Sequence, residues 1–197
     1  MKEISKIFFK TLLLFLIVFS VKVHSKILSD GNANAKVIVK VFSSLTCPAC
    51  ANFHSEIYYD LKKDFIDAGL VKFEHHAFPL DLAALNAEII LRFSVNDEKK
   101  FELLGKIYKK QNSWAVGSDI NRINESIKKI GTEFNMKEEK MNSCLKNDKS
   151  QDEILNQRIE AQKKYKIQST PTIFINEKKY SGEVNYKKFK KAIEKNL

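Results

Sequence analysis

The sequence predicts an α/β fold in which a βαβ unit and a ββα unit flank a block of helices. Three observations carry that expectation. Apolar, β-branched runs lie on either side of one amphipathic helix in residues 35–78. A hairpin signal followed by a capped helix ends the chain. Between these, residues 81–165 show helical periodicity and no comparable strand. Composition agrees: 44% of the 197 residues are hydrophobic, and only six glycines and three prolines argue against an all-β fold.

The elements follow in order. Residues 1–25 read as a secretory signal: Met1–Lys10 is basic, Leu12–Val21 is apolar apart from Ser20, and Val23-His24-Ser25 resembles a cleavage site. Lys10 and Lys22 interrupt the run too early for a comfortable membrane span, although an uncleaved anchor is the alternative, and cleavage after Ser20 is a second option. After the polar Ser29–Asn34, the nearly continuous apolar run 35–42 suggests a buried central strand. From Pro48, apolar Phe53, Ile57, Leu61 and Phe65 mark a helix ending near Gly69, and 70–78 is a second strand stopped by Pro79. Helices are then expected at 82–93, 98–111, 119–130, 137–146 and 152–165, with Trp114 and Gly117 in a break. Strands at 172–176 and 179–181 around a Glu177-Lys178 turn, and an Asn185-capped helix with Phe189, Ala192 and Ile193 on one face, complete the chain.

The formal net charge of +10 falls to +7 once residues 1–25 are set aside. The remaining excess lies in scattered Lys-Lys pairs beside acids, with no arginine-rich tract or interleaved aromatics. This pattern describes a solvated surface and argues against a nucleic-acid partner.

The chemistry centres on Cys47-Pro48-Ala49-Cys50, which holds two of the three cysteines. A structural zinc site needs four ligands, and the remaining Cys144, His54 and His75-His76 lack the matching spacing. His54 lies four residues beyond Cys50, so a two-ligand contact is the most that metal binding can claim. A redox role fits better. Cys47 enters a helix, where free amides stabilise a thiolate, and Cys50 sits one turn inside. Cys47 is then the exposed nucleophile and Cys50 the buried resolving thiol, with Pro48 stiffening the turn between them.

A second feature lies far downstream, in Gln168-Ser169-Thr170-Pro171-Thr172-Ile173-Phe174-Ile175, where a proline opens a buried strand. With "SSLTCPACANFH" and the inserted helices, the chain resembles the DsbA-like periplasmic thiol:disulfide oxidoreductases of the thioredoxin superfamily across residues 36–197. The resemblance implies a thioredoxin-like domain from 26–80 and 166–197, with a helical domain inserted at 81–165. It implies that Pro171 is cis and faces the cysteines, and that the Thr170 backbone binds an extended substrate peptide. It implies disulfide formation in unfolded secreted proteins, reoxidation by a membrane quinone-linked partner, a periplasmic location and no cofactor.

Two positions depart from the family pattern. Ala49 stands where many relatives carry a histidine that helps stabilise the nucleophile, so Cys47 is expected to be less acidic and the enzyme a milder oxidant. Val41 stands where the family tends to place a buried acid that assists proton transfer at the second cysteine. Glu74 on the neighbouring strand is a possible substitute, but Glu74 and Lys40 are more simply expected to be solvated strand-end charges. Cys144 shares a helical face with Met141 and Leu145 and reads as a buried, reduced thiol, a mixed disulfide with another chain being the alternative. His75 and His76 alternate on a strand, so at most one faces the core, and the sequence shows a partner for neither.

The alternatives to an oxidase are an envelope reductase or isomerase using the same site, and a secreted metal-binding or chaperone protein using Cys47, Cys50 and His54. Isomerases of the family carry an N-terminal dimerisation domain, for which the ten or so residues between the expected cleavage site and the first strand leave no room.

Overall fold

The computed structural model describes residues 27–93 and 99–197; the expected signal segment and the start of the helix expected at 98–111 lie outside the described residues. A five-stranded sheet has the order β1-β3-β2-β4-β5. Its strands are β1 (Leu28–Asp30), β2 (Val37–Ser43), β3 (Val71–Ala77), β4 (Thr172–Ile175) and β5 (Lys178–Tyr180). Strands β2 and β3 run parallel, with Val41 beside His75, and every other pairing is antiparallel. A parallel neighbour requires a crossover, supplied by α1 over residues 48–66.

Helix α1 is α-helical at Pro48–Phe53 and Tyr59–Leu61, with π-helical turns at His54–Tyr58 and Lys62–Ile66. The sequence explains the mixture. Phe53, Ile57, Leu61 and Phe65 repeat every fourth residue, a spacing that drifts around a helix of 3.6 residues per turn. Wider π turns bring the mean period nearer four, so all four side chains stay on one buried face. That face packs on Val37, Val39, Val41, Val71, Phe73, Ile173 and Ile175.

The inserted helices are α2 (Leu82–Phe93), α3 (Lys100–Lys109), α4 (Gln111–Trp114), α5 (Ile120–Thr132), α6 (Glu138–Leu145) and α7 (Asp148–Tyr165). Their apolar stripes enclose a second core with Ile90, Leu91, Leu103, Leu104, Ile107, Trp114 and Ile127, which Cys50 and Leu45 join. Helix α7 returns along the opposite side of the sheet, where Ala161 and Tyr165 pack with Phe42, Phe78 and Phe174. The last helix, α8 (Tyr186–Glu194), lies beside α1 and buries Phe189 and Ile193 in the sheet core.

Four expectations need correction. Strand β1 falls partly in the segment read as polar; three residues are too few to show a period, and pairing with β3 defines them. Gly31 follows β1 at φ +97°, where an added Cβ would meet the Val71 carbonyl at 2.5 Å, so the chain passes β3 closely there. Helix α4 occupies the expected break and ends on the buried Trp114. The hairpin turn also comes one residue early. Asn176 adopts φ +54°, donates its N–H to Ile38 O at 2.7 Å and accepts from Ile38 N at 2.9 Å, which docks the turn onto β2.

Glu74 and Lys40 are the fourth correction. Glu74 is 7% exposed and bonds Lys72 at 2.8 Å and His76 at 2.9 Å. Lys40 pairs with Glu177 at 2.5 Å and reaches the Tyr165 hydroxyl at 3.4 Å. Both charges belong to the face that α7 covers, so they are paired and not solvated strand ends.

Candidate active site

The site forms where the loop after β2 enters α1. Cys47 is the N-cap of that helix, in an extended conformation, with Pro48 in the first turn. Its carbonyl accepts from Cys50 N at 3.1 Å and Ala51 N at 3.2 Å, closing the turn that brings the two cysteines together. Cys47 is half-buried and Cys50 is 2% exposed, and all three cysteines are free.

The loop 168–171 approaches from the other half of the fold. The Thr170–Pro171 bond is cis, and the Cys47 thiol donates to the Thr170 carbonyl oxygen at 3.3 Å. The structure therefore brings Cys47, Pro48, Ala49, Cys50, Thr170 and Pro171 to one place. Val41 lies beneath, 3% exposed, with His75 and Ile173 as its strand neighbours.

Electrostatics divides the two thiols sharply. A hydrogen bond from the Cys50 thiol lowers Cys47 most; against the cost of burial, and with help from Thr170 and the N–H groups of Cys50 and Ala49, Cys47 is held at about 5. Burial pushes Cys50 well above the ordinary thiol range, and the neighbouring Cys47 thiolate adds to it. The low value of Cys47 thus arises without a histidine at position 49. The N–H groups of the helix entry act as the sequence implied, and the Cys50 thiol adds the largest share.

Three residues that the sequence did not single out fix the loop. Gln111 Nε2 donates to the carbonyls of Leu45 at 2.8 Å and Cys47 at 3.1 Å, tying α4 to the nucleophile's backbone. Thr46 Oγ1 donates to Asp81 Oδ2 at 2.6 Å, while Asp81 Oδ1 accepts from Ala84 N at 2.7 Å and caps α2. No spacing signal marks Gln111, whose role depends on a helix arriving from 64 residues away.

The histidines also find their places. His75 is buried, with Nδ1 3.2 Å from Ser43 Oγ and Nε2 3.0 Å from Glu88 Oε2. Glu88 in turn accepts from Arg92 Nε at 2.6 Å. His54 is stacked on Tyr58 and tilted against Tyr108, and its Nε2 has no hydrogen-bond partner. Burial lowers it to about 3, with the His75 charge adding to the effect, so it is neutral. Among the described residues no group of three or more His, Cys, Asp or Glu side chains is placed to hold a metal ion. Cys144 is buried, and its thiol points at the Phe93 carbonyl at 3.6 Å.

A CxxC pair at the N-terminus of the helix after a central strand, facing a cis-proline loop, defines a thioredoxin-fold dithiol protein. The family model described as thioredoxin matches residues 25–195, and the chain belongs to that family. It is 31% identical over 176 residues to disulfide bond formation protein D of Bacillus subtilis, covering 85% of this chain and 75% of that protein. A protein of Rickettsia bellii, named provisionally as a protein-disulfide oxidoreductase, is 31% identical over 147 residues. The alignment covers 74% of this chain, which spans only about half, 55%, of the length of that relative. The crystal structure of Wolbachia pipientis alpha-DsbA1 superposes with a TM-score of 0.78 at 26% identity, covering 86% of this chain and 90% of that one.

Proposed function

We propose that this protein is a thiol:disulfide oxidoreductase that forms disulfides in secreted proteins by exchange at Cys47 and Cys50. The observation that carries this is the division of the pair: a half-buried Cys47 held at about 5 beside a buried, protonated Cys50. The kinship with disulfide bond formation protein D supports the same chemistry.

In the oxidised protein a substrate thiolate attacks Cys47, the Cys47–Cys50 bond breaks, and Cys50 leaves as a thiolate and takes a proton. A second substrate thiolate then attacks the substrate sulfur of the mixed disulfide. The substrate disulfide forms, Cys47 departs as its stable thiolate, and two electrons remain on the dithiol. Thr170 and Pro171 border the attacked sulfur and would hold the substrate backbone in extended form, the Thr170 carbonyl being placed to accept a peptide N–H. Low Cys47 basicity favours this direction, because a stable leaving thiolate makes the disulfide more oxidising.

The working protein is secreted through residues 1–25 and acts in the periplasm. Residues 26–80 and 166–197 form the thioredoxin-like domain, and 81–165 the inserted one. A membrane partner linked to quinone takes the two electrons. Among the described residues no helix is long and apolar enough to cross a membrane.

The test is oxidative refolding of a reduced, denatured disulfide protein by the purified oxidised enzyme. Stoichiometric transfer of disulfides, lost in both Cys47→Ser and Cys50→Ala, is the expected result, while Cys50→Ala mixed with a disulfide-bearing substrate should be arrested as a mixed disulfide on Cys47. Stoichiometric zinc binding with no thiol–disulfide exchange would overturn the proposal in favour of a metal-binding protein.

A further inference from the structure

Gln111 is a neutral polar side chain, 6% exposed, at the seam where Leu45 and Cys50 join the core of the inserted helices. A buried carboxamide costs free energy unless its groups are bonded. Its Nε2 carries two hydrogens, and two loop carbonyls accept from it, Leu45 at 2.8 Å and Cys47 at 3.1 Å. These carbonyls lie on either side of Thr46, so one side chain fixes two peptide planes next to the nucleophile. A break in the helices delivers it. Helix α3 ends at Lys109, Lys110 leaves the helical region at φ −98° and ψ 10°, and α4 restarts on Gln111. The buried Trp114 ends that turn and donates its Nε1–H to the Ile107 carbonyl at 2.9 Å, which locks α4 back onto α3.

Cys47 is thereby held from three directions. Its N–H donates to the Ser44 carbonyl at 3.1 Å, its carbonyl accepts from Gln111 as well as from the first turn of α1, and its thiol meets Thr170. The direction of the carbonyl sets ψ, 118°, and with φ at −81° this decides where the Cys47 side chain points. In that direction the sulfur meets the Cys50 thiol and the N–H groups of Cys50 and Ala49. The Gln111 bond reaches the backbone and not the sulfur, so it does not depend on which sulfur Cys47 is joined to. The titratable groups around the thiol are Cys50 on α1, Tyr108 on α3 and, through Thr46, Asp81 before α2. Gln111 adds no charge to them, so its effect is one of geometry.

We propose that Gln111 is a positioning residue of the exchange reaction, holding the Cys47 sulfur at the entry of α1 through the carbonyls of Leu45 and Cys47. The inserted helices thereby help to set the oxidising strength of the pair. The proposal rests on exchange at Cys47 and deepens it. With the carboxamide gone, the Cys47 carbonyl keeps its two donors in α1, but the segment from Leu45 to Cys47 is free to turn. The sulfur then spends less time against the helix-entry N–H groups. The thiolate loses most, because a disulfide sulfur carries no charge for those groups to stabilise. A less stable thiolate makes the dithiol harder to keep and the disulfide less oxidising. Glutamine suits the place. Glutamate would turn carboxylate oxygens toward two carbonyls, and asparagine is one methylene short of reaching both.

The experiment compares the full chain with Gln111→Met, which keeps the length of the side chain and removes both N–H groups. Iodoacetamide alkylation of Cys47 is followed against pH, and the pair is equilibrated with glutathione buffers at pH 7. In the variant, alkylation at pH 5 should slow by about fivefold as its midpoint moves up from about 5. The equilibrium constant for reduction by glutathione should fall by about tenfold, a potential lower by about 30 mV. Gln111→Asn should move both values the same way and carries the test if Gln111→Met does not fold. Ile127→Ala opens the same core from α5 and should lose stability in urea while leaving midpoint and potential in place. A folded Gln111→Met with the wild-type midpoint and potential overturns the positioning role, as does an Ile127→Ala that shifts both values equally. A wild type that exchanges no disulfide with glutathione overturns the exchange function itself, while an active wild type beside an unshifted Gln111→Met overturns the role of Gln111 alone.

Discussion

The Cys47 thiol meets the Thr170 carbonyl oxygen at 3.3 Å, joining two loops 123 positions apart. One loop follows the central strand β2 and the other leads into its antiparallel neighbour β4. The two are close because β2 and β4 pair from Val39–Ile175 to Phe42–Thr172. The inserted helices can therefore be long without separating the halves of the site.

Removing Cys50 should raise the pKa of Cys47, since the Cys50 thiol is the largest cause of its depression. In Cys50→Ala, iodoacetamide alkylation at pH 6 should slow by about tenfold, and its pH midpoint should move up from about 5. The sign of the linked stability is fixed by the same shift. Because the folded value lies below the ordinary 9.0, the thiolate's contribution is full above that value and is lost as pH falls through about 5. An unmoved alkylation midpoint would assign the depression to the helix-entry amides alone.

Ala49→His should raise the reduction potential. An imidazolium beside the Cys47 thiolate stabilises the dithiol form further, and each tenfold change in the equilibrium constant corresponds to about 30 mV. Equilibration with glutathione buffers measures it. A lower or unchanged potential would mean that position 49 no longer influences the thiolate.

Asp81→Ala removes both the cap of α2 and the clamp on Thr46. The loss of stability in urea unfolding should be about 1–2 kcal/mol, typical of a lost N-cap. Reduced protein should also show faster alkylation of Cys50 as the loop before Cys47 loosens. A change below about 0.5 kcal/mol would show that the cap is replaced by solvent.

Glu88→Ala should be the most destabilising of these changes. Burial pushes Glu88 up, but the charges of His75 and Arg92 outweigh it and hold it at about 2, so it is ionised at neutral pH. Removing it strands buried partners, at a cost of about 3–5 kcal/mol. Its folded value lies below the ordinary 4.5, so its contribution is complete above that value and disappears as pH falls through about 2. Urea unfolding at pH 7 and pH 3 should show the difference between wild type and Glu88→Ala shrinking in acid.

Periodicity, helix caps and the CxxC motif made legible the βαβ start, the run of helices after it, the ββα end, and Cys47 at a helix entry with Cys50 one turn inside it. Helix α2 spans the expected residues, the Thr170–Pro171 bond is cis as the resemblance implied, and the Thr170 carbonyl meets Cys47. Such features are local: they rest on residues within a turn or two of each other, or on a motif whose geometry travels with it. Tertiary structure alone decided the rest. Strand register placed His75, and not Glu74, on the cysteine face, and a shift of one residue would have exchanged them. The arrival of α4 gave Gln111 the backbone of Cys47 to hold, and the cover of α7 turned Lys40 and Glu74 from surface charges into paired ones. Burial and partner choice depend on which distant surfaces meet, and no spacing along the chain encodes that.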